Sequence, residues 1–423
     1  MNQQSEYQLK NFILLLFILK FVEINEILQI SCKYLVNIMK GISHITLAAL
    51  MLAMPMVADA GPKNHGLRRT DKEFFTTPEA ARIGEQVLAY QRVTGGWPKN
   101  IDMSRPHTPE ELAEVRAQHD RRDDSTTDNS ATTTQMSFLA RLYQATGDTR
   151  YRDAFTAGVE YLLSGQYANG GWPQFWPDPR GYQIHITYND GAMANTLTLL
   201  RDIFEQREPY GGSLVDDSLR SRLRTAFDKG IECILATQIR VDGRPTVWCQ
   251  QHDRDTFAPA PARSYELPSF CSQESAQIVG LLMELPDPDR RVIEAVHGAM
   301  AWFDAHKLTG YRIERSGKRG TPEADTRLVS DPKAGPLWGR FYDLENCEIY
   351  VCDRDGVPRK SLEEIGHERR NGYSWYNSQP AELYPLYDRW SDLHDPAGKV
   401  KIDISCAIDE EKLKADRKRR PRK

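Results

Sequence analysis

The chain has 423 residues, 40% apolar and 27% charged, enough for one large catalytic domain or two packed ones. Its net charge of −4 gives no global reason to expect a nucleic-acid partner. The charge is uneven: Lys412–Lys423 carries +7 and the first sixty residues balance, which leaves the body near −11, a sign that suits cation binding.

The first sixty residues do not read as a folded domain. Residues 39–60, "MKGISHITLAALMLAMPMVADA", have the parts of a signal peptide. Lys40 gives the positive start, Ile45–Val57 is apolar, and Ala58-Asp59-Ala60 is a small-x-small cleavage site. Residues 1–38 read either as a membrane anchor or as a start placed too early. The second is favoured, because Lys20, Glu23 and Glu26 interrupt the apolar run before it reaches spanning length. The expectation is an exported, secreted or periplasmic protein with no membrane attachment after cleavage. It would have a catalytic domain over 61–400 and a solvated basic tail over 401–423. Six cysteines follow the signal, with Cys347/Cys352 and Cys249/Cys271 as candidate pairs. No CxxC occurs, which argues against a zinc site.

From Phe74 onward the chain repeats. "QRVTGGWP" starts at Gln91, "QYANGGWP" at Gln166 and a degraded "QIRVDGRP" at Gln238, in steps of 75 and 72 residues. Each follows an apolar three-and-four helical pattern, and each is later followed by another. Arg291–His306 is a further helix, and "KLTGYRIE" is a weak fourth echo. Three helix pairs with long, polar connections point to helices closed into a ring. The Gly-Gly turn reads as a positive-φ helix cap and the Trp as its buried wedge, with Lys99-Asn100 left free to face a ligand. After Thr309 the text becomes strand-and-loop in character, a β-rich addition over the helical groove.

The densest polar loops precede the inner helix of each pair: Arg121–Gln135, His185–Asn195 and Phe257–Ser275. In a ring all three meet at one mouth. A lone acid in such a loop reads as a helix N-cap. Two acid–amide pairs at equivalent places, Asp128-Asn129 and Asn189-Asp190, instead offer the hard oxygens that calcium prefers. His185 and His252 read as structural.

"TGGWPKNIDM", "STTDNSATTTQ", "GGWPQFWPDPRGYQIHITYNDGAM", "APARSYELPS" and "PLWGRFYDLE…VCDRDG" together resemble the family 10 polysaccharide lyases, which are pectate lyases. The resemblance spans Phe74 to Trp390. It implies a mainly α fold, an (α/α)3 toroid of helical hairpins with a smaller β/loop-rich C-terminal portion. It also implies calcium-assisted β-elimination on polygalacturonate. On these positions it places Ca2+ at Asp128 and Asp190, beside Asn129, and the base at Arg263. Arg340 and Arg354 would hold substrate carboxylates, with Lys99 and Tyr265 as further substrate contacts. The stretch "YDLENCEIYVCDRDG" departs from the family's shorter neutral segment. Arginine is an unusual base, because a guanidinium ordinarily keeps its proton.

Two other functions stay open on sequence. A glycoside hydrolase on a helical toroid would use Asp128 and Asp190 as its two carboxylic acids, without metal. A non-catalytic polysaccharide-binding protein would use Trp97, Trp172 and Trp176 as stacking surfaces. A monomer is expected in all cases.

Overall fold

The computed structural model describes residues 65–403. The signal segment, the residues upstream of it and the tail beyond 403 lie outside the described residues. Among the described residues ten α-helices run in chain order: α1 (Pro78–Tyr90), α2 (Pro109–Arg116), α3 (Thr133–Thr146), α4 (Thr149–Gly165), α5 (Ala192–Phe204), α6 (Asp217–Thr237), α7 (Ser272–Met283), α8 (Arg290–Ala305), α9 (His367–Gly372) and α10 (Tyr384–His394). The outer helices α1, α4, α6 and α8 pack on the inner helices α3, α5 and α7, which neighbour one another along the chain order, and α10 adjoins α7 and α8. The expected helical toroid is the observed architecture.

The two sets of helices start differently. Outer helices are closed by side-chain caps: Thr77, Asp148, Asp216 and Asp289 each accept a first-turn backbone N–H. The inner helices begin at Thr132, Gly191 and Cys271, none of which supplies a side-chain cap. Asp128 and Asp190 are therefore not N-caps, and their carboxylates are free for other work.

The repeated turn is a clamp. Outer helices α1, α4 and α6 each end at a glutamine in extended conformation, Gln91, Gln166 and Gln238, so the glycine is not the helix cap that the sequence suggests. Gln91 Nε2 donates to Gly95 O at 2.9 Å and to Ala154 O of the next outer helix at 2.8 Å. Gln166 does the same with Gly170 O and Ala226 O, at 3.0 and 2.7 Å. Gln238 does it with Thr246 O and Ala295 O, at 2.8 and 2.9 Å. Gly95 follows with φ +91°, where an added Cβ would lie 2.2 Å from Ala157 O.

The tryptophan then turns back. Trp97 Nε1 donates to Val87 O, Trp172 Nε1 to Leu162 O and Trp248 Nε1 to Ile234 O, each at 2.7 Å. Trp338 Nε1 donates to Phe303 O at 2.9 Å. The third indole is thus Trp248 and not a lost position at Arg244. A hairpin, Arg240–Val241 with Arg244–Pro245, is inserted between the glutamine and its tryptophan and hides the spacing. In the fourth unit a longer hairpin, Tyr311–Ser316 with Asp325–Ser330, does the same. The "KLTGYRIE" echo is therefore hairpin, and Trp338 carries the repeat.

Trp97, Trp172 and Trp176 are 0%, 1% and 5% exposed, which removes the stacking surface a binding-only protein would need. Cys233, Cys249, Cys271, Cys347 and Cys352 are free thiols, so neither candidate disulfide forms. Cys271 Sγ instead donates to Glu274 Oε2 at 2.6 Å, and Cys352 Sγ to Asp353 O at 3.3 Å.

The C-terminal portion joins the ring through an antiparallel sheet. Pro358–Arg359, Ile349–Cys352, Phe341–Tyr342 and Phe270–Cys271 pair in that order. The last strand leads directly into α7. Ser272 N–H donates to Arg340 O at 3.0 Å, so Arg340 is delivered to the mouth of the ring by main-chain pairing.

Gly95→Ala combines a left-handed backbone with a carbonyl clash and is expected to cost about 3 kcal/mol or more. Gly147 has φ +70° but nothing within 4 Å of an added Cβ, so Gly147→Ala should cost only about 1 kcal/mol. Urea unfolding midpoints of the two variants check this.

Candidate active site

Each tryptophan carbonyl or peptide docks the loop that leads into an inner helix. Thr126 N–H donates to Trp97 O at 3.2 Å, Thr187 N–H to Trp172 O at 3.0 Å and Cys271 N–H to Trp248 O at 2.8 Å. Asp128, Asp190 and Glu274 follow these docking residues by two or three positions. The ring thereby sets three carboxylates at one mouth.

Asp128 is 2% exposed. Lys99 pairs with its Oδ2, and Gln174 Nε2 donates to the same oxygen at 2.9 Å. Its Oδ1 accepts the Asn129 backbone N–H at 2.9 Å and Asn189 Nδ2 at 3.4 Å. Asn189 Nδ2 also donates to Asp190 Oδ2 at 3.1 Å, so one amide joins the two acids. Both GGWP turns hold Asp128 in place. Trp97 N–H from the first donates to Thr132 Oγ1 at 3.0 Å, and Gln174 comes from the second.

Arg340 lies across the far side of this cluster and is 4% exposed. Its Nη2 donates to Asn189 Oδ1 at 3.1 Å, to Asp190 Oδ1 at 3.2 Å and to buried Glu274 Oε1. Burial opposes the Arg340 charge, but Glu274, Tyr373 and Asp190 raise its proton affinity well above the guanidinium norm.

A second charged group faces the same space. Arg263 Nε donates to Glu266 Oε2 at 2.7 Å, its Nη2 pairs with Oε1, and its backbone N–H donates to Oε2 at 3.1 Å. Tyr373 O–H donates to Glu266 Oε1 at 2.7 Å. Burial works against the Arg263 charge, yet Glu266 outweighs it and holds the guanidinium protonated above its ordinary range. Burial likewise pushes the Glu266 carboxyl up, and Arg263, Tyr373 and Arg340 together bring it below the usual carboxylate range. Burial raises the Tyr182 hydroxyl above its ordinary range, with smaller effects from Arg263, Glu266 and Asp128.

Tyr265 is 2% exposed beneath three guanidiniums, with Arg369, Arg263 and Arg354 at 4.4, 4.9 and 5.7 Å from its ring centre. It spaces the cations apart and offers little surface of its own to a sugar. Arg354 is exposed and pairs with Glu368 at 3.1 Å, and buried Arg369 pairs with the same acid. The Arg369 hydrogen bond, partly opposed by burial, and then Arg354 hold Glu368 at about 2.

The structure therefore gathers Asp128, Asp190, Lys99 and Arg340 into one cluster, with Arg263, Tyr265 and Arg354 in the neighbouring one. Asn129 is exposed and its amide donates to Asn100 Oδ1 at 3.0 Å; Asn189 is the amide between the acids. Glu266, Glu274, Gln174, Arg369 and Tyr373 were not singled out from sequence. Glu274 holds in the third unit the place of Asp190 and Asn129, three residues past the docking amide, but it lies inside helix α7 in "SQES" and reads as an ordinary helical acid. His252 is fully buried and burial lowers it to about 4. Its Nε2 accepts the Cys249 N–H at 3.0 Å, a structural use.

The donors around Asp128, Asn189 and Asp190 are carboxylate and amide oxygens, the type that suits Ca2+. Among the described residues no three His, Cys, Asp or Glu form a cage for an ion by themselves. A calcium held here would draw further oxygens from water or substrate.

The pectic acid lyase family model matches residues 91–384, more than half of the chain. The chain belongs to the pectic acid lyase family. Two solved structures of a family 10 polysaccharide lyase from Cellvibrio cellulosa are 32% identical to it, each with a TM-score of 0.66. They cover 78% and 79% of this chain, and 99% and 98% of their own. One is an aspartate-to-alanine variant in complex with trigalacturonic acid. Comparison with curated proteins yields no match. The enzyme is a polysaccharide lyase, which sets aside the glycoside hydrolase reading.

Glu274→Ala removes the buried counter-charge that the Arg340 guanidinium depends on. A loss of about 3–5 kcal/mol is expected, read from urea unfolding, with the double variant Glu274→Ala/Arg340→Met recovering part of it.

Proposed function

We propose that this lyase cleaves α-1,4-linked polygalacturonate by calcium-assisted β-elimination, giving 4,5-unsaturated oligogalacturonides. The observation that carries this reading is the pairing of two groups across one mouth: oxygen donors at Asp128, Asn189 and Asp190, and guanidiniums at Arg263, Arg354 and Arg369. An anionic polymer needs cations on both sides of its uronates, one set supplied by arginine and the other by a metal. The trigalacturonic acid bound by the Cellvibrio relative agrees with that chemistry.

Elimination removes the proton α to the uronate carboxylate and expels the neighbouring C4 glycosidic oxygen. The proton is very weakly acidic, so the charge left behind must be stabilised as it forms. When bound, calcium supplies a charge that neutralises the uronate carboxylate and favours the enolate-like transition state. Asp128 and Asp190 would hold the ion, and Lys99 would give up its contact with Asp128 to a substrate carboxylate. Arg263 takes the proton in the form that has first lost one of its own, which alkaline pH and the charge of a nearby calcium would favour. Its side chain is 41% exposed and is tethered to Glu266. Exposed Arg354 binds a uronate that flanks the cleaved bond, and buried Arg369 holds the shared Glu368 behind it. The signal-peptide pattern at residues 39–60 supports action outside the cytoplasm.

The test is the ultraviolet absorbance of the unsaturated product. Chelation with EDTA should abolish the signal and added calcium restore it. Arg263→Lys should lose about 10²–10⁴ in kcat with KM nearly unchanged. Cleavage that survives EDTA without the absorbance sinks the mechanism, and near-full turnover by Arg263→Lys removes Arg263 as base.

A further inference from the structure

The four tryptophan turns share a feature beyond the indole. Two residues after each tryptophan stands a polar side chain: Lys99, Gln174, Gln250 and Arg340, in "WPK", "WPQ", "WCQ" and "WGR". Three of them reach the acids. Lys99 pairs with Asp128, Gln174 Nε2 donates to Asp128 Oδ2 at 2.9 Å, and Arg340 Nη2 pairs with Asp190 and Glu274. Gln250 is fixed to the Asp190 loop through its main chain. Its carbonyl accepts the Tyr188 and Asn189 N–H groups at 2.9 and 3.0 Å. The repeat thus brings two cations and two neutral amides to the acidic loops.

The amides are not used up by the fold. Gln174 is 5% exposed and Gln250 0%. Gln174 Oε1 has no hydrogen-bond partner among the described residues, and in Gln250 neither Oε1 nor Nε2 has one. Burying an amide oxygen with nothing to bind is costly, and two of them at equivalent places of one ring point to a ligand.

We propose that Gln174 and Gln250 are cation-binding residues, whose amide oxygens complete the site that Asp128 and Asp190 begin. The proposal rests on the calcium reading above. Calcium takes roughly six to eight oxygens, and two aspartates supply about four at most. Charge explains why the further ligands are glutamines. Asp128, Asp190 and Glu274 bring three negative charges, and Lys99 and Arg340 return two positive ones. A divalent ion and one uronate carboxylate bring the total to zero. Glutamates at 174 and 250 would leave two surplus negative charges and would hold the ion after the product has gone. An amide oxygen adds a hard donor and no charge.

Europium luminescence on the full chain tests this. Eu3+ stands in for calcium, and its decay rates in H2O and D2O count the waters on the ion. In Gln174→Leu and in Gln250→Leu water is expected to replace the lost amide oxygen, so the count should rise by about one in each. Calcium should then compete about tenfold more weakly. Unchanged hydration in both variants overturns the proposal even where affinity falls, because glutamines that only orient Asp128 add no water to the ion. Should a leucine variant fail to fold, Gln174→Glu and Gln250→Glu keep the shape and a donor oxygen. They are expected to keep the wild-type hydration and to bind calcium more tightly, and weaker binding contradicts the role. Asp128→Ala separates this proposal from the reading beneath it. If that variant binds europium as the wild type does, the calcium reading itself fails. If it loses the ion while both leucine variants match the wild type, the glutamines alone are removed.

Discussion

The structure depends on a buried tryptophan that binds in two directions. Its indole N–H returns to a carbonyl of the helix it follows, and its own carbonyl accepts the amide of the loop ahead. Trp97, Trp172 and Trp248 all do this. Trp338 keeps the first bond and pairs as a strand with Asn377. The indole is fully shielded from water, so each broken bond would leave a buried polar group unpaired. That penalty ties the start of every inner helix to the end of an outer one. Since Asp128, Asp190 and Glu274 lie just past the docking residues, the repeat that closes the ring also brings the acids together.

Charge neutrality is the second constraint. The body carries an acidic surplus, yet the buried acids at the mouth, Asp128, Glu274 and Glu266, and half-buried Asp190 each have a resident cation: Lys99 for Asp128, Arg340 for Asp190 and Glu274, Arg263 for Glu266. Unpaired carboxylates this deeply buried would be costly. A divalent ion or a uronate entering the mouth therefore exchanges partners with groups already in place. The side chains move from one ionic partner to another, and the site is not desolvated afresh.

Much of this was readable in the sequence, for a physical reason. The Gln-x-x-x-Gly-Gly-Trp-Pro turn needs φ +91° at Gly95 and Gly170, and one ring at the tryptophan, so few residues satisfy it. The helices, the ring and the shared mouth follow from its spacing. The third and fourth turns escaped because hairpins separate the glutamine or helix from Trp248 and Trp338. Glu266 and Glu274 escaped because an acid beside a helix start, or inside a helix, looks like any other. Their partners Tyr373 and Arg340 come from the C-terminal portion, more than 60 residues away in sequence. Asn129 follows its acid and Asn189 precedes its own, so Asn189 takes in the second loop the place that Asp128 takes in the first, while Asn129 matches Asp190.

Amide hydrogen exchange on Trp97→Phe tests the central claim most directly. Phenylalanine keeps most of the buried ring but cannot donate to Val87 O. Amides from Thr126 to Thr132 are then expected to lose protection, while the Asp190 loop, docked on Trp172, keeps its own. Unchanged protection at Thr126–Thr132, or an equal loss in both loops, would contradict the account.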